Sequence, residues 1–163
     1  PERVKQHYSY ERILAYTKNH LWYAYNGDLL QVGISKFAIA KHKGIVNIEL
    51  WYRYKAEEII KKDTKLFKIN TNTGPFYLAI PFDFKVIYAN SRVYNLPLAL
   101  NNEPYNENWI IQIEPVQFAV KNIFYNFPER FKLMSWEKYM KYIESEKKFI
   151  FFKKLKNIIW EIF

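Results

Sequence analysis

The chain reads as an all-β protein with peripheral helices, and three features predict that class. Asn26-Gly27-Asp28 separates two apolar runs, 21–25 and 29–34. Asn-Gly between such runs marks a hairpin, because both residues accept positive φ. Asn70-Thr71-Asn72-Thr73-Gly74-Pro75 lies between the runs 66–69 and 76–80 and predicts a second hairpin with an exposed tip. There Asn and Gly tolerate positive φ, the Thr and Asn side chains bond the local backbone, and Pro75 ends further pairing. Helical periodicity, by contrast, is confined to a short stretch after Ser35 and to the region from Ser135 onward.

In chain order, residues 1–18 are polar and aromatic with no clean period, and they predict an extension packed partly on the domain. Tyr8, Tyr10 and Tyr16 are aromatics of a kind that stacks on bases or packs on the chain's own sheet. Ser35 caps a short helix carrying Phe37, Ala38 and Ala40 that ends near Gly44, and residues 45–50 form the next strand. Asp63-Thr64 makes the turn into the central hairpin. Residues 84–88 and 109–113 complete the sheets, with a long connection over 90–107 anchored by Leu96, Pro97 and Leu98. Ser135 caps a helix whose Trp136, Tyr139, Met140 and Ile143 fall at i, i+3, i+4 and i+7, one apolar face. Farther on, Phe152, Leu155, Ile159 and Ile162 share a face, while Lys147, Lys148, Lys153, Lys154 and Lys156 lie largely away from it.

A chain of 163 residues is a single domain by length, and with half its residues hydrophobic and 20% aromatic it has the material for a core. It contains no cysteine, which excludes disulfides, thiol catalysis and cysteine zinc sites. His7, His20 and His42 show no ligand spacing, and His20 reads as a structural hydrogen bonder. Glu103 and Glu107 flank Pro104 in a loop and read as solvated acids rather than a catalytic dyad. No run of 18 apolar residues exists to span a membrane. The net charge is +9, from 25 basic residues of which only five are arginine. Residues 121–163, with ten basic and five acidic side chains, supply +5 of it. Excess positive charge favours polyanionic partners, although Lys, Asn, Ile, Phe and Tyr are also the residues of AT-rich codons.

Four further motifs carry a resemblance. Asn19-His20-Leu21-Trp22, Val32-Gly33-Ile34-Ser35-Lys36-Phe37-Ala38, Ile45-Val46-Asn47-Ile48-Glu49-Leu50 and Asn101-Asn102-Glu103-Pro104-Tyr105 occur in that order. At this spacing the chain resembles the glycine cleavage system H proteins, small lipoyl carriers, over residues 16–114. The resemblance implies a barrel-sandwich hybrid with N- and C-terminal extensions, here 1–15, an insertion at 115–134 and a helical segment with a basic amphipathic tail at 135–163. It also places the family's lipoyl-bearing lysine on Thr73, flanked by Asn70, Thr71, Asn72 and Gly74. The family's neighbouring acids fall on Asn70 and Tyr77. A hydroxyl cannot form the lipoyl amide, so the resemblance implies a carrier fold with no cofactor.

The expectation that follows is a non-enzymatic structural subunit of a large assembly in the mitochondrial matrix, with a mitochondrial ribosome first and a respiratory-chain complex second. Its partners would be protein subunits, with rRNA as a candidate contact and no small-molecule substrate; for the basic tail, covering the domain's own core ranks first, docking on a partner second and lying on a membrane surface last. The expected contacts are Lys147, Lys148, Lys153, Lys154 and Lys156, together with Phe152, Leu155 and Ile159. A lipoyl carrier using another lysine, or a regulatory binder of the glycine cleavage system, is the alternative.

Overall fold

The continuous apolar run through β2 (Leu21–Asn26) is explained by burial on both of its faces. Alternate strand residues point to opposite sides of a sheet. Leu21 and Tyr23 enter the main core, while Trp22 and Ala24 enter a second cluster with Tyr16, Tyr105, Met134, Tyr139 and Ile143. The chain, seen in a computed structural model that describes residues 14–127 and 129–148, has two antiparallel sheets within those residues. The larger runs β1 (Leu14–Tyr16), β2, β3 (Leu29–Ile34), β8 (Ile111–Pro115), β7 (Phe84–Ala89). The smaller runs β4 (Ile45–Leu50), β5 (Phe67–Thr71), β6 (Phe76–Leu78). The main core, including Val32, Ile69, Phe84 and Ile113, draws on both sheets. The fold class is therefore as expected: mostly β, in a barrel-sandwich hybrid with a few helices.

The first hairpin turns one residue later than the Asn-Gly pair predicts. Asn26 pairs with Leu29, so Gly27 and Asp28 form the loop, and of these only Gly27 has positive φ, 63°. That is the pattern of a type II′ connection, with glycine first. Gly33 has a different reason to be glycine. It lies opposite Trp22, and a Cβ there would stand 2.3 Å from the indole ring. The indole cannot easily move, because its Nε1 donates to the Pro104 carbonyl at 3.0 Å.

Tyr16 packs on the chain's own sheet and helix, stacked on Tyr139 with ring centroids 4.5 Å apart; Tyr8 and Tyr10 lie outside the described residues. Ser35 caps α1 (Lys36–Lys41), accepting from the Ala38 amide. The 90–107 connection forms α2 (Ser91–Asn95) and a 3₁₀ turn at Pro97–Asn101. Its anchors are Val93 and Leu100, not the expected leucines: Leu96 and Leu98 are 63% and 62% exposed. The helical turns point residues 93 and 100 inward and leave 96 and 98 on the outside. Asn101 then covers part of the β4 edge, its side chain accepting from the Ile45 amide at 2.7 Å and donating to the Ile45 carbonyl at 3.0 Å. After β8, α3 (Val120–Asn126) and a 3₁₀ turn at Glu129–Phe131 bring Ile123, Phe131 and Leu133 into the main core. A helix over 136–148, α4, covers the second cluster. Among the described residues no helix is long and apolar enough to cross a membrane.

Candidate functional site

The tip of the β5–β6 hairpin is built from its own side chains. Thr71 Oγ1 donates to the Gly74 carbonyl and accepts from the Thr73 amide at 3.2 Å. Gly74, at φ 111°, closes the turn with no heavy atom near the position a Cβ would take. Thr73 is exposed at the apex. Asn70 lies in β5 opposite Asn47, and its amide donates to Asn47 Oδ1 at 2.6 Å and to Glu49 Oε2 at 3.0 Å.

Tertiary contacts tie this tip to the end of α1. Asn72 donates its backbone amide to the Gly44 carbonyl at 3.2 Å and its side chain to the Lys43 carbonyl at 2.8 Å. Thr73 Oγ1 lies 3.0 Å from His42 Nδ1, and the His42 ring stacks on Phe76 with centroids 4.8 Å apart. Partial burial, and then the Lys41 ammonium beside it, hold the His42 ring below its ordinary pKa. The hairpin's own lysines stand back along the strand. Lys65 Nζ lies 4.5 Å from the Tyr77 ring centroid and Lys68 Nζ 5.5 Å from that of Trp51, while Trp51 and Tyr77 themselves pack edge to face. Cation–π contact of this kind stabilises the amines over the rings and not at the apex.

Both ends of α1 meet α4 through a polar chain that is buried around His20, Ser35 and Tyr139. His20 Nδ1 lies 2.9 Å from the Tyr139 hydroxyl, and that hydroxyl lies 2.7 Å from Ser35 Oγ. His20 Nε2 lies 3.3 Å from Glu146 Oε2, and Glu146 Oε1 pairs with Lys41. A carboxylate only accepts, so Nε2 carries the ring proton and Nδ1 accepts from Tyr139. Burial lowers the His20 pKa to about 4 against the opposing pull of Glu146. His20 is thus the structural hydrogen bonder the sequence suggests. Lys41 and His42 are adjacent, so one segment holds α4 on one side and the hairpin tip on the other.

Of the expected contact residues, Lys147 and Lys148 are exposed near the end of α4, with Lys147 Nζ 5.6 Å from the Phe37 ring centroid. Lys153, Lys154, Lys156, Phe152, Leu155 and Ile159 lie outside the described residues. His42 and Asn72 were both in view in the sequence, but the contacts they make were not, because their partners, 31 and 29 residues away in the chain, carry no spacing signal.

Two facing antiparallel sheets with an exposed hairpin at one end define a lipoyl-domain-like fold, that of lipoyl carriers. The family model described as "Glycine cleavage H-protein" matches residues 14–146, and the chain belongs to that family. A glycine cleavage system H protein of Anaeromyxobacter sp. (strain K) is 31% identical over 102 residues, 63% of this chain and 77% of that one. That of Halothermothrix orenii is 28% identical over 132 residues, covering 81% and 94%. Glycine cleavage system H protein 3, mitochondrial, of Arabidopsis thaliana is 24% identical over 133 residues, covering 82% and 73%. The fold is also that of the crystal structure of the H protein from Mycobacterium marinum, with a TM-score of 0.60 at 17% identity, covering 77% of this chain and 92% of that one.

These findings overturn the expectation of a mitochondrial ribosomal or respiratory-chain subunit. The family match extends through most of α4, and the relatives above are glycine cleavage H proteins. The physical reason for the error is that net charge describes how readily a surface associates, not which assembly it belongs to.

Proposed function

We propose that this chain is a non-lipoylated H-protein-fold binder of the glycine cleavage system, occupying the carrier's partner enzymes by shape. The observation that carries this reading is the apex of the central hairpin. Thr73 is exposed there, 3.0 Å from His42, and no amine stands on the tip. A threonine hydroxyl cannot form the amide that holds lipoate, and Lys65 and Lys68 are drawn back over Tyr77 and Trp51. In this reading residues 16–114 form the body that partners recognise. The additions, 1–15, 115–134 and 135–163, modulate contact, with Lys147 and Lys148 and the later Lys153, Lys154 and Lys156 facing acidic protein surface. The apolar residues Phe152, Leu155 and Ile159 would dock beside them. The place of action is that of the glycine cleavage machinery, which for the Arabidopsis relative is the mitochondrion. In a eukaryotic cell that puts this chain in the matrix.

Incubation with lipoyl ligase, lipoate and ATP, followed by intact-mass measurement, tests the first half. No adduct is expected on the native chain; a lipoyl adduct at any lysine would make it a carrier and sink the proposal. Thr73→Lys should accept lipoate if the amine is the whole deficit, and should remain poor if Asn70 and Tyr77 also matter. The second half is tested by adding the native chain to a reconstituted glycine cleavage reaction. Competitive inhibition that is relieved by excess authentic carrier is expected, and an unchanged rate would overturn the binder assignment.

A further inference from the structure

The outer face of the β4–β5–β6 sheet carries more than a solvated strand surface needs. Ile48, Phe67, Ile69 and Leu78 point into the main core. The residues that alternate with them, Glu49, Lys68, Asn70 and Tyr77, therefore point outward. The register sets Lys68 between Glu49 and Tyr77. Trp51, just past β4, and Lys65, just before β5, join this face at the end of the sheet remote from Thr73. The Trp51 amide donates to the Leu66 carbonyl at 2.9 Å, which holds the indole at that end. The Trp51 and Tyr77 rings then meet edge to face, with centroids 5.4 Å apart. Lys65 Nζ stands 4.5 Å from the Tyr77 centroid, and Lys68 Nζ 5.5 Å from that of Trp51.

Neither the rings nor the charges of this cluster are used up within the chain. Trp51 is 54% exposed, so most of its indole faces solvent. Among the described residues Lys65 and Lys68 have aromatic rings, and no carboxylate, as partners. The acids nearby are engaged elsewhere: Glu49 accepts from the Asn70 amide, Glu58 from the Tyr52 hydroxyl, and Glu57 pairs with Lys85. The face therefore offers flat aromatic surface beside positive charge. A single-stranded nucleic acid matches both, with bases that stack on aromatic rings and a phosphate for each base. Sheet faces bearing exposed aromatics take up unstacked bases in this way. An acidic polypeptide would answer the charge and leave the indole without a flat partner.

We propose that the outer face of the small sheet binds single-stranded nucleic acid, with a base stacked on Trp51 beside Tyr77 and the adjoining phosphates on Lys65 and Lys68. The inference stands apart from the proposed function, since it needs neither Thr73 nor a partner enzyme. A fluorescein-labelled adenine dodecamer, as RNA and as DNA, is the probe, and polyglutamate is the companion that carries charge without bases. Binding is read by fluorescence anisotropy and by aromatic shifts in NMR spectra of the full chain. Saturable binding of a single strand that shifts the Trp51 and Tyr77 ring signals is expected, and the tighter of the two strands identifies the preferred backbone. Polyglutamate should bind at least about tenfold more weakly, for want of stacking. Trp51→Ala should weaken the strand about tenfold, the loss of one stacked base, while Trp51→Phe keeps most of the affinity. Lys65→Gln with Lys68→Gln should flatten the slope of log affinity against log salt by about 0.7 for each lysine that meets a phosphate. Ring shifts confined to other residues, undiminished binding by Trp51→Ala, or an unchanged salt slope in the lysine variant would each overturn the assignment. Equal binding of polyglutamate would overturn it as well, in favour of an acidic protein surface.

Discussion

His20 is the residue whose chemistry reaches farthest through the chain. It is 5% exposed, has φ 66°, and sits between Tyr139 and Glu146. Its folded pKa of about 4 lies below the ordinary 6.5, so between those values the unfolded chain binds the extra proton. Stability is then fully present above pH 6.5 and is lost as pH falls toward 4, by at most about 3 kcal/mol for a 2.5-unit difference. Urea midpoints measured from pH 7 to 4 should fall, and His20→Gln should flatten that slope. An undiminished slope in the variant would assign the acid sensitivity to other groups. Tyr139→Phe isolates the hydroxyl. It leaves His20 Nδ1 and Ser35 Oγ without their shared partner and should cost about 1–3 kcal/mol, the penalty for orphaned buried polar groups, while the ring stays stacked on Tyr16.

At the scale of elements, the β2–β3 pair is the tightest joint. Gly33→Ala would push a methyl into the Trp22 ring, which is held between Tyr105 and the Pro104 carbonyl. Overpacking of this kind costs roughly 1–3 kcal/mol, and a lowered urea midpoint with reduced Trp fluorescence anisotropy is the expected signature. The attachment of α4 is tested by ending the chain after Ile143. Both sheets and the stacked Tyr139 remain, but Glu146 is lost, and with it the partners of His20 and Lys41. The expected outcome is a cooperatively folding domain with a melting temperature several degrees lower, each kcal/mol being worth about 2–4 °C in a chain of this length. Cooperative unfolding at room temperature would instead place the end of α4 within the core.

For the whole molecule, the +9 charge bears on association rates. Exposed charges are screened beyond about 8 Å at physiological salt, so binding to acidic partner surface should slow as salt rises. Stopped-flow association with the partner enzymes should show this, and Lys147→Gln with Lys148→Gln should reduce the dependence. A salt-independent rate would turn that face of α4 away from the partner. The apolar body would then carry recognition alone.

The strands and their turns were legible in the chain because both are local. Apolar runs and the turn chemistry at Asn26–Asp28 and Asn70–Pro75 act within a few residues, and the motif Asn101–Tyr105 carries the family signal independently of its contacts. Thr73 at the hairpin apex was legible for the same reason. The one-residue shift of the first turn was not, since it follows from pairing Asn26 with Leu29, and neither was the outward facing of Leu96 and Leu98. The tethers His42–Thr73 and His20–Tyr139 join residues 31 and 119 positions apart. Such contacts leave no period in the sequence; only the packing of two sheets and α4 around β2 brings them within hydrogen-bond reach.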